Sequence, residues 1–449
     1  MHGVYQSYSL IPPDLKASLQ SGVAVLECVP DEQKDWHPGS NGQVLDLVHP
    51  SLYCLRIGKT KVLRNGGETR TCSDPLEKLS EDEYMDLRTD FQEYESYLHP
   101  RLISRNFQWL PTIFSVSDTG DVACTGYINN LHPIKHRELY PAITSILQRF
   151  IPMFERVLSD ALSPEPPRLL EVDPSSWYDH LDDDEPSYEE DTAKRRKDRR
   201  PFVPDAPPFA PPAQNGNVDI SLRGRGLRVI VKLANIVLTP ANPKYPGGSW
   251  HVEGMVNERI VATGLYYYAC DNITESRLAF RVQVGTDDES MEMVYIQDDN
   301  HGWRHAFGFA GEDALNQPLG HVIAGEDKCI AFPNVYQHRV EPFELADQSK
   351  PGHRKILCFF LVDPYRPVAS TRMVPPQQRE WYEEEMARIP ALRALPRELY
   401  DMIAGYALEG TITREEAEAD RAKFMEERSN FVVQHNRDVF EVQFSLCEH

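Results

Sequence analysis

The sequence predicts an α+β protein built around an antiparallel sandwich or jelly roll, and three observations carry that prediction. From residue 218 onward, short stretches rich in Val, Ile, Phe and Tyr recur between Gly, Pro, Asn and Asp turns, the rhythm of antiparallel strands rather than of alternating strand and helix. Before residue 163, strand-like and helix-like runs are mixed. After Pro375 only helical periodicity remains.

Taken in order, residues 1–162 form a mixed α/β region packing on the core. Within it Leu45–Leu55 reads as a strand, and Glu81–Leu98 and Ala142–Leu158 read as helices. The second helix places Ile143, Ile146, Leu147, Phe150, Ile151 and Phe154 on one face, which is the stripe of a helix lying on a core. Residues 163–217 turn to Pro, Asp and Glu, with the acidic run Asp182–Glu185 and then the basic run Lys194–Arg200. Such a segment buries too little apolar surface to order itself and reads as a loop or linker. The basic run could act as a nuclear-import signal or simply neutralise the acidic run before it.

Residues 218–374 hold the strand series Leu227–Leu238, Arg259–Tyr268, Leu278–Val284, Met291–Ile296, Cys329–Phe332, His338–Phe343 and Lys355–Val362. In residues 375–449 the runs Trp381–Arg388, Arg397–Ala407 and Arg414–Glu427 read as helices outside that β core.

The 449-residue length suits two compact parts with connecting material. Lys and Arg number 47 against 69 Asp and Glu, and the net charge of -22 opposes binding to nucleic acid or to an anionic membrane surface. Eight scattered cysteines without a C-x-x-C pair point to a reducing compartment. No export signal and no run of 18 apolar residues is visible, so the expected location is the cytoplasm, or the nucleus if the basic run is an import signal.

Chemistry enters through histidine next to acid. With 15 His and 69 acidic residues, chance gives about two His-x-Asp/Glu pairs, and three occur: His136/Glu138, His180/Asp182 and His251/Glu253. Residues two apart share a side of a strand, so an imidazole and a carboxylate can converge there on one cation. His180 lies in the acidic segment, and His136 opens a helix, where a two-residue offset points side chains apart. Only His251/Glu253, between the turn Tyr245-Pro246-Gly247-Gly248 and the strand Arg259–Tyr268, has the right setting.

A two-histidine, one-carboxylate iron site needs a second His from a distant strand. Of His301, His305, His321, His338 and His353, His338 is preferred, because it follows the strand Cys329–Phe332 and the turn Pro333-Asn334 and opens the next strand. His321 is the second choice. A dicarboxylic co-substrate needs a buried cation, and Arg354 opens the strand Lys355–Phe360, expected beside the His338 strand, sharing a face with Ile356 and Cys358. The alternative for Arg354 is a surface arginine at a strand end.

These residues resemble the core of the prolyl-4-hydroxylase-like 2-oxoglutarate oxygenases. Tyr245-Pro246-Gly247, His251-Val252-Glu253, Arg259, Thr263, Tyr266-Tyr267, Phe332-Pro333, His338-x-Val340-x-Pro342, Arg354 and Asp363 follow in the same order and similar spacing. Over Gln43–Leu55, Asn106–His132 and Arg228–Pro364 the chain is similar to a large fungal family known as a domain of unknown function and noted as oxygenase-like.

The resemblance implies a cupin-like double-stranded β-helix (jelly roll), Fe(II) on His251, Glu253 and His338, and Arg354 on the distal carboxylate of 2-oxoglutarate, with O2 as oxidant. It also implies Tyr245 and Tyr267 as donors to the co-substrate. Two departures stand out: Glu253 where the hydroxylases usually carry Asp, and Cys358 where they tend to place a hydroxyl. A thiol donates poorly, so a further donor is expected from Lys232 or Asn235 on the strand Leu227–Leu238.

The implied reaction is a hydroxylase-type oxidation of an unidentified small molecule or peptide, releasing succinate and CO2. A metal-dependent cupin enzyme without 2-oxoglutarate would keep the triad and have no need of Arg354. A non-catalytic β-helix binding module would need neither. Candidate lid elements are the loop His301–Gly320, with Trp303, His305, Phe307 and Phe309, and the helices after Pro375.

Overall fold

The structure is a computed structural model that describes residues 1–63, 69–71, 102–163, 177–178, 201–202, 218–283, 299–308 and 311–443. The strands that build its main sheets are β1 (Tyr5–Ser7), β2 (Val44–Val48), β3 (Thr112–Val116), β4 (Val122–Cys124), β5 (Arg225–Leu238), β6 (Lys244–Tyr245) and β7 (Ile260–Asp271). They continue with β8 (Arg277–Gln283), β9 (Asn316–Ile323), β10 (Cys329–Pro333), β11 (Gln337–Val340), β12 (Phe343–Glu344) and β13 (Gly352–Val362). The principal helices are α1 (Pro13–Glu27), α2 (Leu139–Leu162), α3 (Asn300–Phe307), α4 (Arg379–Arg388), α5 (Arg397–Ala407) and α6 (Arg414–His435).

Alternation along β5 and β13 decides how the layers form. Val229, Val231 and Leu233 with Leu357, Phe359 and Leu361 point to one side, where they join the apolar faces of α1 and α2 in one buried cluster. Ile230 with Cys358 and Phe360 points to the other side, together with Leu265 and Phe332. There the smaller sheet β9–β8–β11 lays Leu278, Phe280 and Val322 over them. The main sheet has eight strands in the order β1–β10–β7–β13–β5–β3–β4, with β2 following β3 along the edge of β5 opposite β13. Its pairs are antiparallel, and among the described residues it does not close on itself. Strands from both sides of residues 163–217 therefore share one sheet.

Helix α2 carries the stripe that the sequence predicts, with Ile143, Ile146, Leu147, Phe150 and Phe154 fully buried. It approaches the sheet closely at Gly264, where a Cβ would meet Phe150 at 2.8 Å and Phe154 at 2.9 Å. Any larger residue there would have to displace the buried Phe150 and Phe154 rings of α2. No helix among the described residues is long and apolar enough to cross a membrane, and the six described cysteines are free thiols.

Several expectations are corrected. The strand of Arg354 does not lie beside the strand of His338: β13 pairs with β7 and β5, and β11 pairs with β8. The strand expected over Leu45–Leu55 ends at Val48, because His49-Pro50 leaves the ladder. The loop expected over His301–Gly320 contains α3 and most of β9. The last helix runs on to His435, past the expected Glu427. The expected helix Glu81–Leu98, the strand Met291–Ile296 and the runs Asp182–Glu185 and Lys194–Arg200 lie outside the described residues.

Candidate metal centre

A glycine turn delivers the first ligand. Gly247 has φ of 91°, and a Cβ there would sit 2.8 Å from the Val340 carbonyl, so only glycine lets the chain run this close to β11. Gly248 then donates to Val340 O at 2.9 Å. His251 and His338 pair directly, each backbone N–H donating to the other's carbonyl at 3.2 and 3.0 Å. Two residues nearly 90 positions apart are thus held face to face by main-chain bonds, with their rings 4.5 Å apart. Glu253 is fixed by Asn334, whose Oδ1 accepts from Glu253 N and whose Nδ2 donates to Glu253 O, both at 2.8 Å.

Glu253 Oε1 lies 3.3 Å from His338 Nε2 and 3.8 Å from His251 Nε2. One ligand atom from each residue falls within 4.8 Å of the other two. His251 Nδ1 donates to Ser249 O at 2.8 Å, which leaves the Nε2 lone pair facing Glu253. Burial opposes charge on Glu253, but the hydrogen bond from His338 and the nearby rings outweigh it and hold the carboxyl down at about 2. Crowding and the His338 ring lower the basicity of His251 against the pull of Glu253. Two neutral imidazoles and one ionised carboxylate are the donor set of a facial first-row metal site, and their spacing fits one ion. Phe332 and Phe280 stand edge-on and tilted beside His338, at 4.9 and 6.3 Å between ring centres.

Arg354 is buried, with 2% of its surface exposed. Its Nη1 donates to Ser276 Oγ at 2.6 Å, its Nε has no partner, and no carboxylate among the described residues pairs with it. The guanidinium lies 5.4 Å from the ring centres of both Tyr267 and Phe343. Phe343 in turn packs on Tyr245 at 5.2 Å. Burial pushes the Tyr267 hydroxyl up to about 12, against the lowering effect of Arg354. The Cys358 thiol is likewise raised to about 12 by burial, and it feels Lys232, Glu253 and Arg354 at once, so it stands between the cluster and the arginine. Lys232, the cross-strand partner of Cys358, is half-buried on the same face and makes no hydrogen bond or ion pair among the described residues.

Asn235 is not part of this arrangement. It lies three residues from Lys232 on one strand and so points to the opposite face. There its Nδ2 donates to Glu27 Oε1 at 2.6 Å and its Oδ1 accepts from the Tyr268 hydroxyl at 3.3 Å. His301, exposed on α3, and His321, exposed on the edge strand β9, lie outside the cluster. Trp303 is buried against Trp177, 6.3 Å between ring centres, and so does not line an entrance.

Sequence reasoning missed Ser276 and Asn334. Asn334 had a signal, since an Asn in the turn after an apolar strand is a residue that bonds neighbouring backbone. Ser276 had none. A second His/Asp/His group, His37, Asp46 and His49, was also missed, although the turn Pro38-Gly39-Ser40-Asn41-Gly42 marked the hairpin that gathers it.

Fold and site together define a mixed helical and antiparallel-sheet protein with candidate metal-binding His/carboxylate groups. The chain belongs to the family described as "Protein of unknown function (DUF4246)", which matches residues 1–385. A search of curated proteins returns no match.

Solved structures similar to it include the Fe(II)/(alpha)ketoglutarate-dependent dioxygenase TqaL, at 12% identity and a TM-score of 0.27, covering 81% of this chain and 93% of that one. IDO from Bacillus thuringiensis matches at 10% identity and a TM-score of 0.19, covering 31% and 46%. A bsmA homolog from Methylobium petroleophilum PM1 matches at 10% identity and a TM-score of 0.18, covering 33% and 46%. The chain spans a little under half the length of the last two. Likenesses this distant carry no argument about chemistry.

Proposed function

We propose that this chain is a non-haem Fe(II)/2-oxoglutarate-dependent dioxygenase, an oxidoreductase whose residues 218–374 form a double-stranded β-helix core from the main sheet and the β9–β8–β11 sheet. The observation that carries the reading is a buried arginine with no counter-ion among the described residues, joined to a two-histidine, one-carboxylate cluster through Cys358, whose thiol feels both Glu253 and Arg354. An unpaired buried guanidinium is costly and marks a site that an anion completes. A metal site alone would not require it.

In this reading His251 offers its Nε2 lone pair to iron, Glu253 its carboxylate, and His338 its Nε2 once the proton it gives Glu253 moves to its unpartnered Nδ1. Arg354, steered by Ser276 and stacked near Tyr267, takes the distal carboxylate of 2-oxoglutarate through its free edge. Lys232 adds positive charge on the same face. Phe280 and Phe332 keep water from the His338 side. Bound there, iron with 2-oxoglutarate and O2 supplies the oxidising power, with succinate and CO2 as coproducts. The substrate is an unidentified small molecule or peptide; residues 1–162 add four strands to the main sheet of the core, and residues 375–449 flank it.

The test is anaerobic titration of the full chain with Fe(II) and 2-oxoglutarate, following the weak visible charge-transfer absorption, then succinate release in air. Band and succinate should both appear in the native chain. His338→Ala should lose iron affinity by more than about 100-fold, since even groups that only orient ligands are worth 10–100-fold. An undiminished band in His338→Ala, or iron binding that 2-oxoglutarate never perturbs, would remove the proposal.

A further inference from the structure

We infer that His37, Asp46 and His49 form a second metal site, for a first-row transition dication of the zinc type bound through imidazole nitrogen and carboxylate oxygen. The inference does not depend on the oxygenase reading.

All three residues come from one hairpin and the turn that follows it. Backbone bonds from His37 N to Val44 O at 2.8 Å and from Asp46 N to Asp35 O at 2.9 Å close the hairpin. His49 sits just beyond β2. One ligand atom from each residue lies within 4.8 Å of the others, and the two rings are 5.1 Å apart at 56°. Like the His251/Glu253/His338 group it has two imidazoles and one carboxylate, here Asp rather than Glu, assembled from local sequence.

Asp46 supplies the independent observation. Its side chain is 1% exposed. Burial opposes its charge, yet His49, His37 and Lys232 together hold the carboxyl down at about 2, so it is an anion. It accepts one side-chain hydrogen bond, from His37 Nδ1 at 2.7 Å, and its Oδ1 is buried with no partner. An ionised buried carboxylate normally takes two or three hydrogen bonds or a metal. Here the unmet oxygen belongs to a residue already within ligand distance of two imidazoles. Burial, set against the pull of Asp46, keeps His49 neutral, which is the form that ligates.

One contact opposes the reading. Ser51 N donates to His49 Nδ1 at 3.2 Å, so in the metal-free chain the His49 proton sits on Nε2. Coordination through Nε2 moves that proton to Nδ1 and gives up a bond at the long end of the range. Lys232 and Arg421 add positive charge nearby. That disfavours calcium or magnesium, which rely on charge and oxygen ligands, and leaves a nitrogen-seeking dication. Asp46 and His49 border a cleft of about 170 Å³, also lined by Leu52, Tyr53, Asn130 and Arg414, which gives such an ion an entry path and room for water ligands. Bound there, it would staple the 35–46 hairpin to the edge of the main sheet.

The test uses the full chain, stripped with chelator and titrated with Zn(II) or Co(II), counting ions by elemental analysis and by cobalt d–d absorption. The native chain should hold two ions. Asp46→Asn and His49→Gln should each hold one, with metal-free melting temperatures reported to show that the variants fold. A His251→Ala/His338→Ala chain should keep the second ion with its cobalt spectrum. His37→Gln gives a third arm, expected to weaken the second ion by tenfold or more. Fewer than one ion in the His251→Ala/His338→Ala chain would overturn the proposal, as would two ions persisting in both Asp46→Asn and His49→Gln. Two ions retained in the His251→Ala/His338→Ala chain would instead count against the iron reading.

Discussion

Arg354 and Arg428 are both arginines turned into the protein, and they differ in what they meet. Arg428, on α6, grips both oxygens of the fully buried Glu258 and lies 3.5 Å over the Trp109 ring. Glu258 also accepts from Trp109 N and Met255 N, each at 2.7 Å. The Arg428 charge is thus met by a carboxylate of the chain, although its Nε, like that of Arg354, has no partner. Arg354 meets a serine hydroxyl and two aromatic rings and no carboxylate among the described residues. The difference teaches where to look for a ligand: a closed ion pair latches the C-terminal helix to the loop after Glu253, whereas an open cation waits for an anion from outside.

The comparison predicts opposite phenotypes. Arg428→Met leaves Glu258 buried and unpaired, and should destabilise the chain by about 3–5 kcal/mol in denaturant melts, the usual cost of breaking such a pair from one side. A loss below 1 kcal/mol would mean that the latch carries no weight. Arg354→Met removes a charge that no carboxylate among the described residues answers, so its melting midpoint should not fall. Its 2-oxoglutarate affinity should drop about 100-fold, close to 3 kcal/mol for a charge-assisted contact, with iron affinity unchanged. Equal co-substrate affinities before and after would make Arg354 a structural residue like Arg428.

Proton competition sharpens the metal side. Crowding and His338 lower the basicity of His251, so its lone pair stays available to pH values below the ordinary imidazole value of 6.5. Protons displace metal only where they outcompete it, so iron retention should be flat from neutral pH down to about 6.5 and fall below that. Glu253 adds a second, more acidic effect. Its carboxyl is held at about 2 against an ordinary 4.5. Its contribution to the stability of the metal-free chain is therefore full above 4.5 and lost as the pH falls toward 2. Iron loss that begins above pH 7 would contradict this arrangement.

Which of these features the sequence made legible follows from how local their causes are. Two-residue parity put Arg354, Ile356 and Cys358 on one face, and the turn before His251 singled out one of three His-x-Asp/Glu pairs. Strand order was not legible. Pairing β13 with β7 and β5 rather than with β11 depends on contacts 82 to 132 residues apart, and no short pattern records them. Strand β9 was missed because it is an exposed edge with one buried residue, Val322, and so has no apolar alternation to read. The Arg428–Glu258 pair, 170 positions apart, left no trace in spacing.

Asn235 is the case where an available rule went unused, and it yields the smallest prediction. Lys232 and Asn235 lie three apart on β5, so parity alone separates their faces. On the α1 side, Asn235 shares Glu27 with Lys355, whose Nζ reaches Glu27 at 2.8 Å, and it accepts from Tyr268. Asn235→Ala leaves Glu27 its lysine but strands the Tyr268 hydroxyl, and should cost about 1 kcal/mol of stability with no change in 2-oxoglutarate affinity. Lys232→Met should do the reverse, leaving the melt in place and weakening 2-oxoglutarate roughly fivefold, the scale of a half-buried charge without direct geometry. Both follow from one titration and one melt per variant. If Asn235→Ala lost as much co-substrate affinity as Lys232→Met, the two faces of β5 would not be chemically distinct, and the assignment of the metal side to the Lys232 face would fail.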